Sequence, residues 1–556
     1  VPTVWLDLRI GSKWFAKPLR RAMQGLCLLL FLALFFYVCW PYGSRHHAEG
    51  MAAREILPAE TFLSLDPLVG VSASIASRSW TPALWWGGAV IAVCLLLPRA
   101  FCSFVCPFGS LIDVFDWAVG QRVSRYRVGY GWWTQVRYGL LAVVLVGAAG
   151  GTLLAGYVAA IPMLTRGMLF LAAPLQLGFL RGWYLVPPMN AGHVLSLALF
   201  VGVFALSLLG PRFWCRCLCP TGALLSVTSV LRLGERRVSD ACIRCGKCSA
   251  ACDFGAIHND FSTRTADCTT CQDCGPVCPV DAISFGPRVL HRTGHGEGRA
   301  LSRRDLLLGG LLGAVAGGVT VLAERPSTAA GPIVRPPGSL PEPEFLRLCV
   351  RCGACMKACP FSVLQPAGIG KGMWTPRVAA DWAGCEPTCT NCGQVCPTGA
   401  IRPLPLEEKR VARMGLAIVN ESTCLPYAGA EACQVCIDEC TAAGYNAIEF
   451  LRIGVEIDDE GMPIPDSGIV APTVLADKCV GCGLCQFRCY SVNVKQKHIL
   501  TASAIVVEAG EGKEDRIRSG SYAALREAER QRREDTLRKE QEQRGDDGGY
   551  LPDFLK

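Results

Sequence analysis

The chain has 556 residues, 51% of them hydrophobic and only 18% charged, with 32 cysteines. It is too long for one ordinary domain and too rich in cysteine for a cytosolic enzyme without metal. Its net charge of +8 sits mostly in short loops beside apolar runs, where membrane topology accounts for it more simply than nucleic-acid binding does.

Uncharged runs of about 20 residues mark helices that can cross a bilayer while satisfying their own backbone. Five crossings are expected: 22–40, 79–98, a third from Tyr138, a fourth after Pro188 to about Gly210, and 306–323. The stretch 167–180 is too short and contains Pro174, so it reads as a re-entrant or interfacial piece. Lys and Arg crowd the N-terminal tail, the 99–137 loop and the segment after Gly210. The basic-loop rule puts those three segments in the cytoplasm and everything beyond 324 in the periplasm or its equivalent.

At the same end of the second and fourth helices stand FCSFVCPFG (101–109) and WCRCLCPTG (214–222). Cys102 and Cys106, like Cys215 and Cys219, share a face if the helix continues through them, and each following proline ends the run. Each pair is then half of a site. Joined, the four sulfurs suit an iron-sulfur or single tetrahedral metal centre, or redox thiols; the plainer reading is two pairs of ordinary buried cysteines.

Iron-sulfur cubes need four thiolates, and in paired runs the fourth cysteine of each run ligates the neighbouring cube. By that rule Cys242, Cys245, Cys248 and Cys278 hold one [4Fe-4S] cluster, and Cys268, Cys271, Cys274 and Cys252 a second. Beyond 340 the device recurs twice. Cys349, Cys352, Cys355 and Cys396 form one set, and Cys385, Cys389, Cys392 and Cys359 its partner. Cys424, Cys433, Cys436 and Cys489, then Cys479, Cys482, Cys485 and Cys440, form the last pair. The leads Cys385 to Cys389 and Cys424 to Cys433 are longer than the usual spacing. Zinc and disulfides are the competing readings, and neither explains the repeated spacing.

Ser302, Arg303, Arg304 and Asp305 precede the fifth apolar run. An arginine pair there is either a positive-inside anchor or a twin-arginine export signal, and the poor cleavage site near Ala323 predicts a retained helix. From Ser521 to Arg544 the chain reads as an exposed charged helix with acid-before-base pairs four apart.

The stretch from DPLVGVSASIASRSW through AFCSFVCPFGSLIDVFDW to WCRCLCPTGALLSV, with the two ferredoxin runs after it, resembles the NapH and MauN membrane polyferredoxins. The stretch from SRRDLLL through CVRCGACMKACP and ARMGLAIVNESTC to CVGCGLC resembles the exported four-cluster ferredoxins NapG and MauM. The chain resembles the two fused in order. The resemblance implies a quinol dehydrogenase: a bacterial inner-membrane protein passing electrons from membrane quinol through [4Fe-4S] clusters to a periplasmic cytochrome or reductase, within a larger membrane complex. On that reading Cys102, Cys106, Cys215 and Cys219 lie near the quinol chemistry, and His193 is a candidate to accept a quinol proton. The alternative is an electron-donating factor that matures a periplasmic metalloenzyme.

The expected fold class is a multidomain membrane protein, an all-α transmembrane bundle with α+β bacterial-type ferredoxin modules. Its expected parts are a four-helix membrane domain (1–237), a cytoplasmic 2[4Fe-4S] module (238–290), a linker with the fifth helix (291–325), a periplasmic 4[4Fe-4S] domain (326–510) and a charged tail (511–556). Six clusters account for twenty-four cysteines.

Overall fold

A computed structural model of the chain describes residues 9–10, 13–14, 16–38, 57–120, 131–287, 311, 313, 315, 317–318, 332–370, 372–456, 464 and 467–546. Among them, three helices are long and apolar enough to cross a membrane: Lys17–Tyr37, Ala160–Arg181 and Ala191–Leu209. Two expected crossings are shorter than the sequence suggests. Pro82–Leu96 has 15 residues and ends where Pro98 and Arg99 (φ 54°) turn the chain; Val136–Ala149 has 14 and stops at Gly150 and Gly151 (φ 84°).

The largest departure is Ala160–Arg181. Expected as a short broken piece, it is one continuous helix of 22 residues with Pro174 inside it. Neighbouring groups in a packed bundle compensate for the hydrogen bond that an internal proline forfeits. The expected fifth crossing lies largely outside the described residues. Of it, Gly313 and Gly317 meet the Val136–Ala149 helix closely: a Cβ on Gly313 would stand 2.5 Å from the Gly139 carbonyl oxygen, and one on Gly317 3.1 Å from that of Val143. Small residues one turn apart permit this approach between helices in lipid.

Asp66 begins the Pro67–Ser77 helix, its carboxylate accepting from the Leu68 N–H at 3.1 Å. Asp66 is fully buried and also accepts from Thr221 Oγ1 (3.2 Å) and the Ile161 N–H (3.4 Å), tying three separate segments together.

Each ferredoxin module is built on short helices and two-stranded antiparallel ribbons. Gly234–Val238 pairs with Ile283–Pro287 in the first module, so its first strand begins within the segment assigned to the membrane domain. In the second, Leu364–Pro366 pairs with Pro376–Val378, Leu416–Val419 with Ile505–Glu508, and Ile448–Ile453 with Ile469–Val474. The tail helix, Tyr522–Asp546, is exposed along most of its described length, but Tyr522 is buried and its N–H donates to Glu408 at 2.5 Å. The helix pairs Arg533 with Asp477, and Glu529 with Arg413 and Arg526, rather than in the order its sequence suggests.

The two modules sit at opposite ends of Val136–Ala149. Arg137, at one end, pairs with Asp267 of the first module; beyond the other end, the Leu153 carbonyl accepts from Arg351 of the second at 2.5 Å. Fourteen residues span about 21 Å. One apolar core runs from the membrane helices into the 349–401 part of the second module. There a Cβ on Gly156 would overlap the Val350 carbonyl. Gly156→Val is therefore expected to lift the 349–352 loop off the bundle. Hydrogen exchange of those amides should accelerate at least tenfold, and unchanged protection would contradict the docking.

Candidate metal centres

All four runs of ideal Cys-x2-Cys-x2-Cys spacing adopt the same loop. The residue before the second cysteine and the one after it lie in the left-handed region: Arg244 and Gly246, Thr270 and Gln272, Arg351 and Gly353, Gly481 and Gly483. For non-glycine residues this is a strained choice, sustained where a loop must wrap its sulfurs inward. In the two runs with longer leads, the residues flanking the second cysteine, Thr388 and Thr390 or Ala432 and Gln434, lie outside that region.

The fourth cysteine of each exchanged set lies with the other run wherever electrostatic contacts resolve it. Cys252 interacts with Cys268 and Cys271; Cys396 with Cys349, Cys352 and Cys355; Cys359 with Cys385, Cys389 and Cys392. Cys489 interacts with Cys424 and Cys436, and Cys440 with Cys479, Cys482 and Cys485. Contacts between sets order them as a line. Cys355 faces Cys392; the Cys385 N–H donates to the Cys482 carbonyl at 2.8 Å; Cys485 faces Cys436. From the membrane outward the order is the 349 set, the 385 set, the 479 set and the 424 set, so the last two are reversed relative to the chain.

Cys102, Cys106, Cys215 and Cys219 converge. Each of the four thiols interacts electrostatically with the other three. The two halves are copies: Cys106 and Cys219 each begin a helix, Pro107–Phe115 and Pro220–Thr228, and each Sγ accepts from the N–H of the glycine three residues on, Gly109 or Gly222, at 3.4 Å. Among the described residues no three Cys, His, Asp or Glu side chains close around a single-ion position. Zinc held at about 2.3 Å per sulfur demands that closeness, whereas ligands of a four-iron cube stand wider apart.

The repeat extends beyond the cysteines, to Pro-Arg-x-x-Cys-x-x-x-Cys-Pro-x-Gly at 98–109 and 211–222. Arg99 and Arg212 count at the sequence level only as basic loop charge, yet both are buried, in left-handed backbone. They serve the opposite half. Arg212 Nη1 donates to the Cys102 carbonyl at 2.9 Å, and Arg99 Nη2 stands 3.1 Å from where a Gly222 Cβ would be. Arg99 Nε and Nη2 have no hydrogen-bond partner. Four thiolates on a doubly positive core are net doubly negative; Arg212 is already paired with Asp113, and Arg99, with Nε and Nη2 unpartnered, is placed to offset part of that charge.

Asp113 holds this layer together. It accepts from Arg212 Nε and Nη2 (2.5 and 2.7 Å), Gln24 (2.9 Å) and Arg21 (3.0 Å). Burial favours its neutral form, but Arg212 and Arg20 outweigh that and hold the carboxyl down at about 2. Arg20 also pairs with Asp273, and Arg99 donates to the Ala266 and Asp267 carbonyls at 3.3 Å. The four-thiol site thus abuts the 268 set.

Toward the second module, Cys106 faces Asp66, which accepts from Ile161. Five residues along that helix Arg166, also buried, donates to Ser196 Oγ (2.9 Å) and to the Gly156 and Arg351 carbonyls (2.8 and 3.0 Å), with its guanidinium 3.9 Å from the Trp374 ring centre. Such charged bonds contribute about 1.5–3 kcal/mol each and a desolvated cation–π contact about 2, enough to offset a several-kcal/mol desolvation cost. His193 lies apart from the four thiols, its ring tilted 56° to that of Phe170 with centres 4.5 Å apart, and it lines a cavity shared with the second module. The sequence signal for Arg99 and Arg212 was the longer repeat; for Asp66, Asp113 and Arg166 no local pattern distinguishes them.

A family described as a 4Fe-4S binding domain matches residues 79–126 and 193–238, the two halves of the four-thiol site, and a second 4Fe-4S binding family matches 346–365. The methylamine utilization ferredoxin-type protein MauM of Methylophilus methylotrophus is 39% identical over 181 residues, 31% of this chain and 72% of that protein. Ferredoxin-type protein NapG of Escherichia coli is 38% identical over 151 residues, 26% of this chain and 63% of NapG. Ferredoxin-type protein NapH of the same organism is 27% identical over 297 residues, 50% of this chain and 91% of NapH. No solved structure matches.

Proposed function

We propose, for a chain that belongs to the MauM ferredoxin-type family and carries a NapH-like part, that it is a quinol dehydrogenase delivering electrons from membrane quinol to a periplasmic redox partner. That it is a membrane-associated 4Fe-4S electron-transfer protein follows from its relatives and apolar helices. The finer reading rests on one observation: six thiol sets, from the 268 set to the 424 set, joined by a line of contacts between modules at opposite ends of the bundle.

The cysteines of the six ferredoxin sets would hold [4Fe-4S] clusters, and Cys102, Cys106, Cys215 and Cys219 a seventh. Bound clusters supply one-electron redox capacity, with potentials tuned by nearby charge and hydrogen bonds. The chain's own part is positional. Arg99 would offset part of the thiolate charge, Arg212 holds the Cys102 carbonyl, Asp66 and Arg166 fix the helix between the four-thiol site and the 349 set, and Gly156 admits the 350–351 loop. The 424 set, farthest along the line, is where the partner would meet the protein. Iron and sulfide analysis with redox-titrated paramagnetic resonance tests the reading; about 28 iron atoms per chain are expected from seven cubes, and a count near eight would overturn it.

A further inference from the structure

We propose that quinol binds in the cavity between Ala160–Arg181 and the second module, beside the cluster ligand Cys359; this rests on the quinol reading above and assigns its site. The cavity is partly open at its mouth, and its lining includes Ala173, Pro174, His193, Met356, Cys359 and Gln365. A mostly apolar lining with a few polar groups is what a substituted aromatic ring requires. Leu175, Phe179, Trp183, Tyr184 and Met189, nearby on the same helix and the following loop, are exposed apolar side chains. A lipid-borne substrate would reach the cavity along such a surface, as aromatic and apolar groups settle at the membrane border.

Two polar groups are left for it. Gln365 is buried and its Nε2 has no hydrogen-bond partner, a cost that a ligand oxygen would relieve. His193 has its Nδ1 occupied by Asn190, whose backbone N–H lies at 3.1 Å and whose Oδ1 at 3.0 Å, so Nε2 remains for a ligand hydroxyl. The thiol of Cys359 then stands beside the ring, with no residue layer between the substrate and the 385 set. In the reaction two O–H bonds of the quinol would break: its ring would lose two electrons, one at a time, to the [4Fe-4S] cluster that Cys359 and the 385 run would hold and on to the periplasmic oxidant, and two protons would pass to water outside.

The test uses the full chain with its clusters, in lipid nanodiscs, and an azido-substituted benzoquinone as photolabel. Label is expected in peptides holding Phe170–His193 or Met356–Pro366, and Ala173→Trp, at full iron content, should reduce it at least tenfold. Gln365→Leu should raise KM for a short-chain benzoquinol at least fivefold. Label around Cys102–Phe115, or label and KM indifferent to both substitutions, overturns the site. A wild-type protein whose clusters no quinol reduces would overturn the quinol reading itself, which label placed elsewhere would leave standing.

Discussion

Replacing Cys102 and Cys215 together by serine is expected to remove about four iron atoms per chain and to stop electron exchange between the two ferredoxin modules. One ligand is lost from each half, and the remaining Cys106 and Cys219 cannot close a four-thiolate shell. The six ferredoxin sets are made by other loops and should keep their iron. Without the intermediate centre, the 268 set and the 349 set face each other across the bundle, and tunnelling falls steeply with distance. Reduction of the first module by a soluble donor should therefore no longer reach the 424 set, while a quinol bound beside Cys359 still reduces the second module. Serine at Cys27, a half-buried cysteine away from the four, serves as the control. Unchanged iron content, or unchanged transfer between modules, would remove the seventh centre from the account.

The second large effect is structural. Asp113→Asn is expected to cost about 3–5 kcal/mol at the face that meets the first module, because it leaves a buried guanidinium without its counter-charge. Arg20 retains Asp273, so the loss falls mainly on Arg212, whose carboxylate partner is Asp113. Arg212 in turn holds the Cys102 carbonyl. Hydrogen exchange should thus report opening of 101–115 and 212–222 together, without change in the outer ribbons, since local openings follow the contacts that are lost. Equal protection in variant and wild type would show that Asp113 is dispensable. Asp113→Glu, which keeps the charge, should recover part of the loss.

The cysteine sets were legible in the sequence because a cluster's ligands are mostly local: three thiols within seven residues demand one loop conformation, and the fourth follows from the paired run. The departures at Cys385 and Cys424 were legible too, and they are the runs that lack left-handed residues on either side of their second cysteine. Helix lengths were less so. Hydropathy marks which residues avoid water, but Gly150 and Gly151 end a helix that apolarity alone would continue, and Pro174 sits inside one that its presence seemed to break.

The sequence by itself determined the pattern: that cysteines recur at 4Fe-4S spacing, that Cys102 and Cys215 begin two copies of one motif, and that apolar helices accompany them. Only the tertiary structure decided the order of the outer centres, the burial of Arg99, Arg166 and Arg212, and the cavity beside Cys359. Each of these depends on contacts between residues far apart in the chain, such as Arg166 with Arg351, and an arginine beside an apolar run has the same local pattern whether it ends in water or against a carbonyl of another domain.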